Sequence, residues 1–137
     1  MTRMLTHSAI PPETPKPSMG YSPSAGDSAD GVATDATHLY AQFFEPKRGG
    51  YYLATAIFDI GHPGPPARTL IGTGCTVSRN GGALGYGLAV FKKYLYEGCI
   101  DAGGGAGVEL VYDATKSGPQ PPIMQLTGGN IGVAVGP

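Results

Sequence analysis

The stretch from Arg68 to Asp113, RTLIGTGCTVSRNGGALGYGLAVFKKYLYEGCIDAGGGAGVELVYD, limits most tightly what this chain can fold into. Three apolar, glycine-studded runs are separated by two turn signals, Asn80-Gly81-Gly82 and Ala102 to Gly107. Each interior glycine costs a helix about 1 kcal/mol relative to alanine. Asn80-Gly81 is the strongest short hairpin signal in the chain, because both central residues of a type I′ turn need positive φ. The spacing predicts a strand over 70–78 that returns through this turn to a partner over 83–91.

A helical stripe competes over 83–97. Leu84, Leu88, Phe91 and Leu95 recur at helical spacing, and Gly98 stands where a C′ glycine would close the helix. Gly85 and Gly87 oppose that reading, and Tyr86, Tyr94 and Tyr96 suit strands better. Upstream, His38 to Phe44 alternates weakly and Pro46 to Gly50 reads as a turn. Tyr51 to Ile60 is apolar on both faces, as expected of a strand covered twice. Gly61 to Pro66 must be a loop, since no ladder tolerates three prolines in six positions. Downstream, Tyr94 to Ile100 and Val108 to Tyr112 pair across Gly103-Gly104-Gly105, and Lys116 to Pro122 reads as turn chemistry. Ile123 to Leu126 and Ile131 to Val135 close the chain as short strands. The expected class is all-β, a small antiparallel sandwich or barrel, with β-rich α+β as the alternative if 83–97 is helical.

Residues 1–36 are a different material. Prolines at 11, 12, 15, 17 and 23, mixed with Ser, Thr, Ala, Gly and Asp, build neither a helix nor a central strand. Pro12-Glu13-Thr14-Pro15 matches the minimal polyproline pattern. The expected organisation is an extended arm over 1–36 and a β-rich domain over 37–137, the arm ordering along a partner. No apolar run long enough to span a membrane and no secretory signal is visible. Synthesis in the cytoplasm without a signal peptide is expected, with the virion as destination if the chain joins a particle.

The same geometry gives an expectation for Cys75 and Cys99. A two-residue turn at Asn80-Gly81 places Cys75 opposite Tyr86. A second turn near Lys92-Lys93 places Cys99 opposite the same tyrosine from the other side. Thiols on alternate strands stand roughly 10 Å apart, too far for a disulfide, so both are expected to be reduced.

Chemistry is scarce. His7, His38 and His62 are not at metal-ligand spacing, and neither cysteine lies in a CxxC motif. The run Gly103 to Gly107 lacks the Lys-Ser/Thr of a phosphate loop. Asp59, Glu97, Asp101, Glu109 and Asp113 read as strand-end or outward-facing charges rather than a catalytic pair. No catalytic, cofactor-binding or metal residue is therefore expected, and no cofactor. A net charge of −1 opposes a nucleic-acid partner reached by bulk electrostatics. A stacking platform of Tyr51, Tyr52, Tyr86, Tyr94, Tyr96 and Tyr112 with Lys92 and Lys93 would lack the usual basic groove.

Three function classes survive. The favoured one is a structural assembly protein, a viral or phage particle subunit of the decorating or stabilising type. Its partners would be copies of itself or a larger protein assembly. Only 14% of the chain is charged, which suits a protein packed among neighbours. The expected contact residues are Pro12, Pro15 and Tyr21 in the arm and Tyr51, Tyr86, Tyr94 and Tyr96 in the domain, tyrosines being amphipathic interface material. In broad layout, a small β-domain with a flexible Pro/Ser/Thr-rich arm, the chain is similar to phage head-decoration proteins. The second class is a barrel binding an apolar small molecule, lined by Tyr52, Phe58, Tyr86 and Phe91. The third is an enzyme whose site is dispersed over loops.

Overall fold

In the computed structural model the described residues are 31–78, 85–100 and 107–127, and they form nine strands and no helix. One sheet has the order β1 (Gly31–Thr34), β2 (His38–Lys47), β3 (Gly50–Asp59), β4 (Arg68–Ser78) and β8 (Gly118–Gln120). The other has the order β5 (Gly85–Phe91), β6 (Tyr94–Cys99), β7 (Val108–Asp113) and β9 (Met124–Thr127). All pairings are antiparallel except β4 with β8. The fold is a β-sandwich, not a closed barrel, and over 85–97, the described part of the stretch with the helical stripe, the chain is strand and turn rather than helix. The tyrosines of that stretch belong to strands, as their β-propensity suggested.

β3 is the hinge of the packing. Its odd positions, Leu53 and Ile57, join Tyr40, Leu70, Leu95, Leu110 and Tyr112 in a core shared by the two sheets. Its even positions, Ala54, Ala56 and Phe58, join Phe43 in a second apolar cluster on the opposite face. The two-sided apolarity of Tyr51 to Ile60 therefore corresponds to a strand buried on both faces. β2 alternates in step with it, because Gln42 stands opposite Thr55 and Phe43 opposite Ala54.

β4 changes face part-way along. Tyr52 pairs with Thr76 while its neighbour Leu53 pairs with Gly72, so Thr73, Gly74 and Cys75 bulge out of the ladder. An odd insertion reverses the alternation of a strand. Leu70 ahead of the bulge, Cys75 at its end and Val77 past it all reach the inner core. The bulge is held from two sides: Gly74 N–H donates to Tyr112 Oη at 3.2 Å, and Thr73 Oγ1 donates to the Gln120 carbonyl at 3.1 Å.

That reversal overturns the expected thiols. Cys75 and Cys99 form a disulfide with Cα atoms 6.0 Å apart, joining the two sheets face to face. The earlier geometry assumed β4 and β5 were neighbours in one sheet. They are not: β4 lies between β3 and β8, and β5 begins the other sheet. Asn80 and Gly81 lie outside the described residues, but the link they occupy joins two sheets rather than two paired strands. Asn-Gly reports tolerance for positive φ, not which strands meet. The tight hairpins are elsewhere, Lys47 pairing with Gly50 and Phe91 with Tyr94. Gly49 in the first turn and Lys92 in the second hold positive φ, 85° and 56°.

Two short strands were not anticipated. β1 lies within the stretch read as arm, so the sheet begins at Gly31, ahead of the expected boundary at 37. β8 occupies the segment read as a turn; Pro119 is tolerated there because β8 is an edge strand and needs no N–H on its free side. Tyr94 to Ile100 and Val108 to Tyr112 pair as expected, and Ile123 to Leu126 corresponds to β9 with its start moved to Met124. The arm over 1–30 and the strand expected over 131–135 lie outside the described residues.

Two outcomes test this packing. An ideal Cβ on Gly72 would lie 2.7 Å from Tyr112 Cζ and Oη, in a ring clamped between sheets. Gly72→Ala should therefore destabilise by about 1–3 kcal/mol in chemical denaturation, an overpacking cost. Reducing the disulfide releases a loop with sequence separation 24. Denaturation with and without reductant should differ by about 3 kcal/mol on the chain-entropy model.

Candidate functional site

Three places gather polar chemistry or unpartnered surface. The first is inside the sandwich. Glu97 alternates inward on β6 with Leu95 and Cys99 and has no solvent exposure, so it is not the outward-facing charge that its position in the sequence suggested. Gln42 Nε2 donates to Glu97 Oε1 at 2.7 Å from the facing sheet. Glu97 Oε2 makes no hydrogen bond among the described residues, and neither does Gln42 Oε1 or Thr55 Oγ1. Burial pushes the Glu97 carboxyl up to about 7; the Gln42 bond opposes this and the nearby Glu109 charge adds to it. Burial, then the Glu97 charge, pushes the Tyr112 phenol above its ordinary range. Such a carboxyl sits most easily in its neutral form, which removes the charge from a low-dielectric site.

The second lies at the end of the sandwich where β1 turns into β2. Asp35 Oδ1 accepts from the Thr37 and His38 backbone N–H groups, each at 2.7 Å, and Asp35 Oδ2 accepts from Tyr40 Oη at 2.7 Å. Burial raises the Asp35 carboxyl, but these hydrogen bonds outweigh it and hold the group well below the usual carboxylate range. His38 reaches Asp59 Oδ1 through Nε2 at 3.2 Å and contacts Thr37 Oγ1 through Nδ1 at 2.8 Å. A hydroxyl, an imidazole and a carboxylate in a row resemble a nucleophile relay. Here, however, Thr37 Oγ1 also donates to Asp35 Oδ1 at 3.1 Å, so the network locks a turn. A cleft of about 270 Å³ opens beside it, with Arg68, Lys92 and Lys93 at its wall. Arg68 Nε donates to the Ala114 carbonyl at 3.2 Å, and Asp113 is held by Thr115 in a second capped turn. Among the described residues no group of three or more His, Cys, Asp or Glu side chains could hold a metal ion.

The third is the outer face of the second sheet. Ala89, Tyr96, Val111 and Met124 lie in one row across its four strands. Phe91 and Tyr94 face each other at the adjoining hairpin, under Lys92 and Lys93. At the end of the row β9 is, among the described residues, an edge strand exposed along its length, with Met124 at 55% and Leu126 at 46%; Ile123 precedes it at 54%.

The expected contact tyrosines do not form one patch. Tyr94 and Tyr96 share the outer face of the second sheet, whereas Tyr51 packs against the inner core beside Phe44. Pro12, Pro15, Tyr21 and the Tyr86 side chain lie outside what the structure describes. Tyr112 is buried, so the tyrosines do not make a common stacking platform. Nor do Tyr52, Phe58 and Phe91 line a shared cavity: Tyr52 sits under Lys47, Phe58 joins the outer cluster of the first sheet, and Phe91 is exposed on the second. The exposed β9 edge was missed on sequence, although Met124-Gln125-Leu126-Thr127, without charge or proline, is the signal that could have found it.

The Glu97 carboxyl yields a pH signature. Its folded value, about 7, lies above the ordinary 4.5, so its contribution to stability is complete below that ordinary value and is lost as pH rises through 7. Wild type should lose on the order of 3 kcal/mol across this window from Glu97. Glu97→Gln, which mimics the neutral form, should flatten the profile and exceed wild type at pH 8, read from denaturant melts at each pH. Comparison of the chain with protein-family models, with curated proteins and with solved structures finds no match.

Proposed function

We propose that this chain is a non-catalytic assembly module, of the particle-subunit or particle-decorating kind. It joins further copies of itself or a larger protein assembly through the β9 edge and the adjoining face around Tyr94 and Tyr96. The observation that carries this reading is the β9 edge itself. Edge strands of monomers are commonly blunted by charge, proline, a bulge or a covering element. Among the described residues β9 holds none of these devices: Met124, Gln125, Leu126 and Thr127 are all exposed and uncharged. Its outer backbone groups, unpaired with any described strand, offer a ladder to an incoming strand, and Met124 and Leu126 offer alternate side chains for selecting it.

The interior supports the same reading. Both thiols are joined to each other, the histidine network closes a turn, and the buried carboxyl faces a packed core. Each of these holds the scaffold rather than presenting a reactive group.

Size-exclusion chromatography with light scattering on the full chain tests the proposal. Wild type should self-associate as concentration rises, or co-elute with a preformed particle of its own source. Leu126→Lys, at an exposed position, should weaken that association at least about tenfold without shifting the melt, since it adds the charge that guards natural edges. A chain that stays monomeric at every concentration and binds no particle would overturn the proposal.

A further inference from the structure

We propose that the outer face of the first sheet is a docking groove for residues 1–30 of the same chain. Register places Phe43 opposite Ala54 and Ala41 opposite Ala56, with Phe58 two residues beyond Ala56 along β3. Two rings therefore stand at the ends of a trough whose floor is Ala41, Ala54 and Ala56, about 13 Å long at the rise of a β-strand. Leu39, opposite Phe58, and Ile71, opposite Ala54, stand on the same face, so the methyl-sized floor lies among larger apolar side chains.

The trough is not bare. Phe43 and Phe58 are exposed by only 4% and 3%, and Ala54 and Ala56 not at all. A phenylalanine standing on an open sheet beside alanines keeps the flank of its ring in water, so burial of this degree calls for a covering layer. Among the described residues the cluster draws its members from β2, β3 and β4 alone, and the second sheet lies against the opposite face. The apolar members of the cluster therefore come from these three strands and do not include the cover.

Residues 1–30 fit it in position, length and composition. They join the described fold at Gly31, which pairs with Gln42, the residue next to Phe43. The chain therefore arrives about one strand spacing, roughly 4.8 Å, from the strand that carries the trough. Thirty residues reach up to about 100 Å when extended, several times the distance needed. Prolines at 11, 12, 15, 17 and 23 carry no N–H, an advantage for a segment crossing a sheet face, where no ladder is available to satisfy donors. Ile10, Met19 and Tyr21 supply apolar side chains of a size to fill the floor. Tethering beside the groove also raises the local concentration of this segment far above that of any arm from another molecule.

Nuclear Overhauser spectra of the full chain, methyl-labelled at alanine, decide the matter. The Ala54 and Ala56 methyls should show cross-peaks to protons of residues 1–30. In an equal mixture of labelled and unlabelled chains these peaks should vanish from the isotope-filtered spectrum, which reports contacts between molecules. Ala56→Glu should raise the rate of proteolysis within residues 1–30 at least about tenfold by favouring the undocked state. Cross-peaks only to residues 128–137, cross-peaks only between molecules, or none beyond β2 to β4 would each overturn the proposal, and none of these readings requires the variant to fold. The outcome is also separable from the assembly role, which depends on β9 on the other sheet.

Discussion

Where β4 passes beneath β6 and β7, Gly72 has no side chain, and the space is taken by the ring of Tyr112 and the carboxyl of Glu97. The ring bridges the sheets by accepting a hydrogen bond from Gly74 N–H in the bulge two residues on. The carboxyl bridges them by accepting from Gln42. The disulfide adds a covalent bridge from the last residue of the same bulge. Glycine at 72 and an odd-numbered bulge after it thus set both how closely the sheets approach and which residues face inward. With a Cβ at position 72 the ring would be displaced; without the change of face Cys75 would point away from Cys99.

What was legible in the sequence follows from this arrangement. Period-two patterns and turn residues sufficed for the strands of β2, β3, β6 and β7, and for the covering of β3 on both sides, because these depend on local chemistry. The partner of β4 did not follow, because Asn80-Gly81 does not say which strands meet, and nothing in the run Gly72-Thr73-Gly74-Cys75 distinguishes a bulge from a regular strand. One mistaken pairing then carried the two cysteines with it. Glu97 was unreadable for a related reason: an acid between Tyr96 and Gly98 looks solvated unless the opposite sheet is known to present Gln42. At the candidate contact surface, Tyr94 and Tyr96 were legible as amphipathic side chains on a strand. The β9 edge required the topology, since an edge is defined by the strand that is absent beside it.

The few charges are distributed unevenly. Asp35, His38, Arg68, Lys92 and Lys93 gather around one cleft at an end of the sandwich, with Asp59 on the far side of the His38 ring. There they cap turns and tie strand ends together. The row across the second sheet from Ala89 to Met124 carries none. The next row on the same face does carry a charge, Glu109 between Gly98 and Leu126. Ala89 and Val111 are themselves buried, so the open uncharged surface is confined to the neighbourhood of Tyr94, Tyr96 and the β9 side chains.

The strand order has a consequence for the chain as it leaves the ribosome. β1 to β4 are adjacent in sequence and can form a sheet on their own, but β6 and β7, which cover its inner face, are made later. Asp113, the last residue of β7, emerges roughly thirty-five residues after Ser78 ends β4. At typical rates of synthesis that is about 2–7 s. Through that interval Leu53, Ile57 and Leu70 face no partner sheet, and β8, which completes the far edge of β4, has yet to be made. A holding chaperone that recognises short apolar strands would meet this nascent sheet at its most adhesive moment, and would be displaced from it by the arrival of Leu95, Leu110 and Tyr112.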